Sequence, residues 1–109
     1  GSPATNGTMA EVRWTLQALD DVEAICLFIA RDAPRVASVF ADRAFLATDR
    51  LVEHPRLGRV VPETQDSSVR EISVYSYRII YRIRRDEVQV LTVHHGARLL
   101  HEADIEDET

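Results

Sequence analysis

The chain has 109 residues, 45% of them hydrophobic, and a formal net charge of −5. This length predicts one domain with a modest core, and the charge argues against a protein that grips nucleic acid through a broad basic surface. No apolar run approaches the roughly 18 residues of a membrane span, and one cysteine excludes an internal disulfide, so we expect a cytoplasmic protein without membrane contact.

Both ends are predicted to lie outside the fold. Residues 1–8, GSPATNGT, have no hydrophobic pattern and are interpreted as an expression remnant before Met9. Residues 101–109 form an acidic C-terminal tail with five of the eighteen acidic residues. Removing it leaves thirteen arginines against thirteen acids, which is a neutral domain over residues 9–100.

The first half of the domain predicts a strand and two helices. Residues 11–14 read as a short strand, and Thr15 can cap a helix whose apolar stripe is Leu19, Val22, Ile25, Cys26 and Ile29. Pro34 suits the first turn of a second helix, with Asp32 or Ala33 as its cap. The stripe of that helix is Val36, Val39, Phe40, Leu46, Ala47 and Leu51.

His54-Pro55 ends the second helix, because the residue before proline avoids helical geometry. The short connection between the helices predicts an antiparallel helical hairpin. From Pro55 to Ser68 the pattern disappears, which indicates a loop of about a dozen residues, long enough to be functional or mobile.

Three strands follow, at about residues 69–75, 77–84 and 87–95, and Arg85-Asp86 is a plausible two-residue hairpin loop. Counting from that loop pairs Ile80 with Leu91 and Arg78 with Val93, and it places His95 on the Arg78 face. That face would then be apolar as well as basic. Since two helices can cover one face only, we expect a partner or the chain's own termini on the other.

His94 and His95 are adjacent in a strand and point to opposite faces, so they cannot easily bind one metal. No Cys/His spacing supports zinc, and a lone Gly96 is not a phosphate cradle. We predict no metal and no cofactor. Arg78 either contacts a partner or pairs with a local carboxylate such as Glu71, and these two interpretations carry equal weight.

The order of one strand, two helices and three antiparallel strands resembles the RelE/ParE superfamily of bacterial toxin–antitoxin toxins. The resemblance extends from Val12 to about Leu100. The segments that carry it are Trp14, Asp21–Ile29, His54-Pro55, the P-x-x-G-R loop at residues 55–59, Arg70-Glu71, Tyr77–Arg82 and His94–Arg98. It implies an α+β domain in which an antiparallel helical hairpin packs on a twisted, mainly antiparallel sheet, in the order β-α-α-β-β-β.

Two activities compete within that superfamily. RelE-like toxins are ribosome-dependent messenger-RNA endonucleases with strand lysines, arginines and a late tyrosine, whereas ParE-like toxins poison DNA gyrase. Arg78 and Arg98 match nuclease arginines, but the positions nine and seven before Arg78 are Val69 and Glu71, and no tyrosine follows Tyr81. We therefore favour the ParE-like branch, which implies a binding toxin without catalytic residues.

The alternatives are a RelE-like endonuclease that uses Arg78, His95 and Arg98, and a non-toxic protein that only partners an antitoxin. The resemblance implies a cognate antitoxin in a hetero-oligomer and DNA gyrase as the target, with no sequence-specific nucleic-acid binding. The candidate interface residues are Arg70, Arg78, Ile80, Arg82, Leu91, Val93, His95 and Arg98.

Overall fold

The protein is seen here as a computed structural model that describes residues 10–98, so residues 1–8, predicted as an expression remnant, and residues 101–109, predicted as an acidic tail, lie outside the described residues. Two helices follow a first strand, and four further strands come after them. The elements are β1 (Glu11–Trp14), α1 (Leu16–Ala30), α2 (Pro34–Asp49) with a 3-10 turn (Arg50–Val52), β2 (Arg59–Val60), β3 (Val69–Val74), β4 (Tyr77–Arg84) and β5 (Glu87–His95). No helix among these described residues is long and apolar enough to cross a membrane.

The five strands form one sheet in the order β1-β5-β4-β3-β2. Strands β2, β3, β4 and β5 form three antiparallel pairs in chain order, and β1 runs parallel to β5. The predicted α+β class and helical hairpin are confirmed. Strand β2 is an addition, since it lies inside the stretch that the sequence predicts as a loop.

Thr15 lies between β1 and α1, and its side chain forms hydrogen bonds with both α1 and β5. Its hydroxyl oxygen accepts from the Ala18 amide at 3.1 Å, which caps α1. The same hydroxyl donates to the Val90 carbonyl at 2.9 Å. Helix α2 begins at Pro34 after Ala33, which makes no side-chain capping bond.

The apolar stripes of the helices differ from the prediction. The buried residues of α2 are Ala37, Phe40, Ala44 and Thr48, whereas Val36, Val39 and Leu46 are exposed. Leu19 of α1 is exposed too, and Ala18 is buried in its place. Small residues at these contacts let the backbones of the helices and the sheet approach closely, so the larger aliphatic side chains face outward.

The predicted register of the last hairpin is wrong beyond Val90. The pairs Arg84–Glu87 to Tyr81–Val90 are as predicted, but a bulge then leaves Leu91 unmatched. Ile80 consequently pairs with Thr92, Ile79 with Val93, and Arg78 with His94. A one-residue shift exchanges the two faces of a strand. Val93 therefore joins the core under the helices, and His94 replaces His95 on the Arg78 face.

The second face of the sheet, where the sequence predicts a partner or the chain's own termini, is partly covered by described residues. Ile80 is fully buried, and it packs with Val61 and Val69 in a small cluster. The stretch after β2 thus covers part of this face with a residue from the predicted loop. Leu91 and Arg78 are buried as well.

Candidate functional site

The candidate site is built around Arg78, the second residue of β4, whose side chain is only 9% exposed. Its Nε donates to the Glu71 carboxylate at 2.7 Å. Its two Nη atoms donate to the two carboxylate oxygens of Glu63 at 3.1 and 3.0 Å, a bidentate contact. Nη1 also donates to the Arg98 carbonyl at 3.2 Å. Of the two interpretations of Arg78, the local pairing with Glu71 is the one that the structure contains.

Glu71 is the buried counterion of the site. It lies in β3, and its side chain is 2% exposed. One carboxylate oxygen accepts from Arg78, and the other accepts from Nε of Arg59, whose side chain is 72% exposed. Strand β2 brings Arg59 to this place, because Arg59 pairs directly with Glu71 in the sheet.

Glu63 reaches the site from the stretch between β2 and β3. Tyr81 holds the segment that leads into β2, since its hydroxyl donates to the Pro55 carbonyl at 2.7 Å and accepts from the Gly58 amide at 2.9 Å. A Cβ at Gly58 would overlap the Glu71 carbonyl oxygen, so the close approach requires glycine here. Arg70 adds a hydrogen bond to the Gly58 carbonyl at 2.9 Å.

The charges in the site cancel. Two arginines, Arg59 and Arg78, face two carboxylates, Glu63 and Glu71. Hydrogen bonding to Glu63 raises the pKa of the Arg78 guanidinium above its ordinary value, so this group stays charged. A shallow groove of about 400 Å³ opens above it, and Pro62 and Gly96 contribute to its walls.

This arrangement has a limited chemistry. The Nη atoms of Arg78 already hold a carboxylate in the bidentate geometry that a phosphate would need. Within residues 10–98, no three Asp, Glu, His or Cys side chains form a group suited to a metal ion. The site is therefore a neutral, hydrogen-bonded cluster.

The other predicted site residues are dispersed. Arg82 is half-buried, and Arg98 is exposed beside the groove. His95 is exposed and packs edge-on against Tyr77, with ring centroids 5.4 Å apart, away from Arg78. Ile80, Leu91 and Val93 are buried, and Ile80 and Val93 pack in clusters of described residues.

Two residues of the site have no clear signal in the sequence. Glu63 lies in a stretch without a hydrophobic pattern, and only the tertiary fold brings it to Arg78, fifteen residues later. The alternating pattern of β4 predicts that Tyr81 belongs to the core, but it does not show which groups its hydroxyl contacts. Burial raises the pKa of that hydroxyl, which stays protonated at neutral pH.

A second feature is the apolar outer surface of the helical hairpin. Five large aliphatic or aromatic side chains there are more than half exposed. They are Leu16, Leu27, Phe28, Val36 and Leu46.

Comparisons with known proteins point to one family. A sequence model for the ParE toxin of the type II toxin–antitoxin system parDE matches residues 12–100. Toxin RelE2 of Caulobacter vibrioides is 37% identical over 92 residues, which cover 84% of this chain and all of that toxin.

Two solved structures share the fold. One belongs to a chromosomal ParDE toxin–antitoxin system from P. aeruginosa, with a TM-score of 0.68 and 20% identity over 81% of this chain and 97% of that chain. The other is a chain of the RelBE2 toxin–antitoxin complex from Mycobacterium tuberculosis. It has a TM-score of 0.53 and 24% identity over 84% of this chain and 95% of that chain.

Proposed function

Because this chain belongs to the ParE family and is a toxin of a type II toxin–antitoxin system, we propose that it inhibits DNA gyrase by binding to it. A cognate antitoxin neutralises it by forming a hetero-oligomer. The toxin in this proposal is a binding protein without catalytic residues, and it acts in the cytoplasm.

The paired state of Arg78 supports this choice over the nuclease. Cleavage of RNA needs cations that are free to stabilise the charge that develops on the phosphate. Arg78 instead donates to Glu63 and Glu71, and Glu71 occupies a position where RelE-like toxins carry a lysine. A phosphate approaching this groove would meet two carboxylates at close range.

The RelE-like endonuclease remains the alternative, and one observation favours it. Arg59, Arg78 and Arg98 line the same groove, so a rearrangement that removes Glu63 would leave three arginines around a space of about 400 Å³. The exposed His95 is too poorly placed to act on a substrate held by Arg78, since it packs on Tyr77. A toxin-fold protein without toxicity, serving only its antitoxin, is the third possibility.

Two assays with the purified chain test the proposal. We expect inhibition of gyrase supercoiling, and we expect no cleavage of labelled message on translating ribosomes. The antitoxin, added in equal amount, should restore supercoiling. Message cut at defined codons with supercoiling untouched would replace this proposal with the nuclease. Inactivity in both assays, together with antitoxin binding, would support the non-toxic partner.

The matched variants are Glu63→Gln and Arg78→Gln. If Arg78 only stabilises the fold, both variants should, like the unaltered chain, leave the message uncut. A gain of cleavage in Glu63→Gln would mean that the carboxylate masks a nuclease site.

A further inference from the structure

A groove separates α2 from the outer edge of β3. Its volume is about 600 Å³, so it is larger than the groove above Arg78. Residues from both sides line it: Arg43, Leu46 and Arg50 from α2 and its 3-10 turn, and Ser73, Val74 and Tyr75 from β3 and the turn after it.

The end of β3 that forms one wall has no described strand on its outer side. Strand β2 pairs only with Arg70 and Glu71, and the Val61 amide bonds to the Val69 carbonyl. Because peptide groups alternate in direction along a strand, those of Ser73 point outward like those of Val69 and Glu71. No described strand pairs with the outer edge of β3 at Ser73, which is exposed. This edge can accept an extended segment.

The opposite wall is basic and apolar. Arg43 in α2 and Arg50 in the 3-10 turn that follows it are seven residues apart, and Leu46 lies between them and is 60% exposed. Neither guanidinium forms a hydrogen bond or an ion pair with another residue in the described range 10–98. Tyr75 adds a ring that is 63% exposed. The groove therefore matches an extended segment with carboxylates and an apolar side chain.

We propose that residues 101–109 of this same chain, HEADIEDET, bind in this groove. The segment contains five acidic residues and Ile105, so it complements both the arginines and the apolar wall. This assignment is independent of the toxin's target and of its antitoxin.

The distance is compatible with binding within one molecule. The Gly96 amide donates to the Ser76 carbonyl at 2.7 Å, and Ser76 follows the groove residue Tyr75. The chain therefore leaves β5 near one end of the groove. At Arg98 it lies on the other face of the sheet, where its carbonyl accepts from Arg78, so the tail must pass around the end of the sheet to reach the groove. Two strand spacings, about 10 Å, separate β5 from β3. The eleven residues that follow Arg98 can span roughly 36 Å when extended.

The test uses the full chain with a spin label at Thr109→Cys, in a Cys26→Ser background that leaves one thiol. We expect the label to broaden the amide NMR signals of Ser73 and Tyr75, and not that of Asp86 at the far hairpin. Exposed ion pairs each change an equilibrium by up to about fivefold. The double variant Arg43→Glu/Arg50→Glu should therefore lose most of the broadening.

The matched control is Arg31→Glu/Arg35→Glu, which reverses two exposed arginines at the other end of the hairpin and should keep the broadening. About 0.5 M NaCl, where the Debye length falls to about 4 Å, should weaken it. The amide spectra of every variant report whether it is folded. Broadening that lies elsewhere, or that persists in Arg43→Glu/Arg50→Glu, would overturn the proposal. Broadening transferred to a second, unlabelled copy in a mixed sample would also overturn it, in favour of contact between molecules.

Discussion

Glu71 and Glu63 both bind Arg78, but their contributions to stability should differ because their burial differs. Glu71→Gln leaves the buried Arg78 guanidinium with Glu63 as its one remaining carboxylate partner. We therefore expect the free energy of unfolding to fall by about 1–3 kcal/mol. The Glu63 side chain is 23% exposed, and Glu63→Gln should lower the free energy of unfolding by about 0–1 kcal/mol.

Urea denaturation measures both changes, with Glu53→Gln, an exposed carboxylate after α2, as the control. Equal losses for Glu71→Gln and Glu63→Gln would show that burial does not control this cluster.

Tyr81 should be the residue that holds the stretch after Pro55 in place. Tyr81→Phe removes its bonds to the Pro55 carbonyl and the Gly58 amide but keeps the ring. We expect a loss of about 1–2 kcal/mol and faster hydrogen exchange of the Gly58 amide. Tyr75→Phe, on an exposed ring, is the control and should change neither quantity. Unchanged exchange at Gly58 would mean that other contacts suffice.

Tyr81 also predicts a loss of stability at alkaline pH. Burial raises its pKa in the folded chain above the ordinary value near 10. Above that ordinary value the unfolded chain binds fewer protons than the folded chain, so the free energy of unfolding falls as pH rises. Below it, this contribution is fully present. Urea titrations between about pH 8 and 11 measure the slope, and Tyr81→Phe should make it shallower.

At the scale of elements, Asp21 fastens α1 to the edge of β5. Its carboxylate accepts from the Thr92 hydroxyl and from the Val93 amide, 3.0 Å away. Strand β1 ends opposite Val90, so the carboxylate accepts from an amide on the side of β5 that β1 no longer covers. Asp21→Ala should cost about 1.5–3 kcal/mol. Its neighbour Asp20 is exposed, and Asp20→Ala should change stability by less than about 0.5 kcal/mol.

The order of the elements could be read from the sequence, because helical and strand periodicities differ and proline and Thr15 mark the boundaries. The register of β5 could not. Its bulge at Leu91 lies where β1 ends and α1 begins, and the Thr15 hydroxyl contacts both the Val90 and the Leu91 carbonyls. A break in pairing that depends on such a long-range contact leaves no local pattern.

The candidate site, like the fold, could be predicted only in part. Arg78 and Glu71 were identifiable as a pair, because both lie in strands that the hairpin brings together. The Glu63 contact depends on the path of an irregular stretch, so the sequence could not show it. In α2, Val36 and Leu46 fit an apolar stripe as well as Ala37 and Ala44 do. Only packing decides which stripe is buried.

At the scale of the whole molecule, the outer surface of the hairpin should bind hydrophobic dye when the antitoxin is absent. We expect Leu27→Ser/Phe28→Ser to lower dye fluorescence, since both side chains are more than 60% exposed. Stability should change by less than about 0.5 kcal/mol per residue. Gln17→Ser/Glu23→Ser, on exposed polar positions of the same helix, is the control. Equal fluorescence in both variants would place the dye elsewhere.

The parallel pairing of β1 with β5 has a consequence for how the protein is made. Among the described strands, β1 pairs with β5 alone, 76 residues later, and Asp21 links α1 to β5. Synthesis at about 5–20 residues per second delays β5 by several seconds. During that interval the nascent chain has neither its complete sheet nor the anchor of its first helix. A cell that produces this toxin therefore has a short period in which the chain exists but its folded form does not.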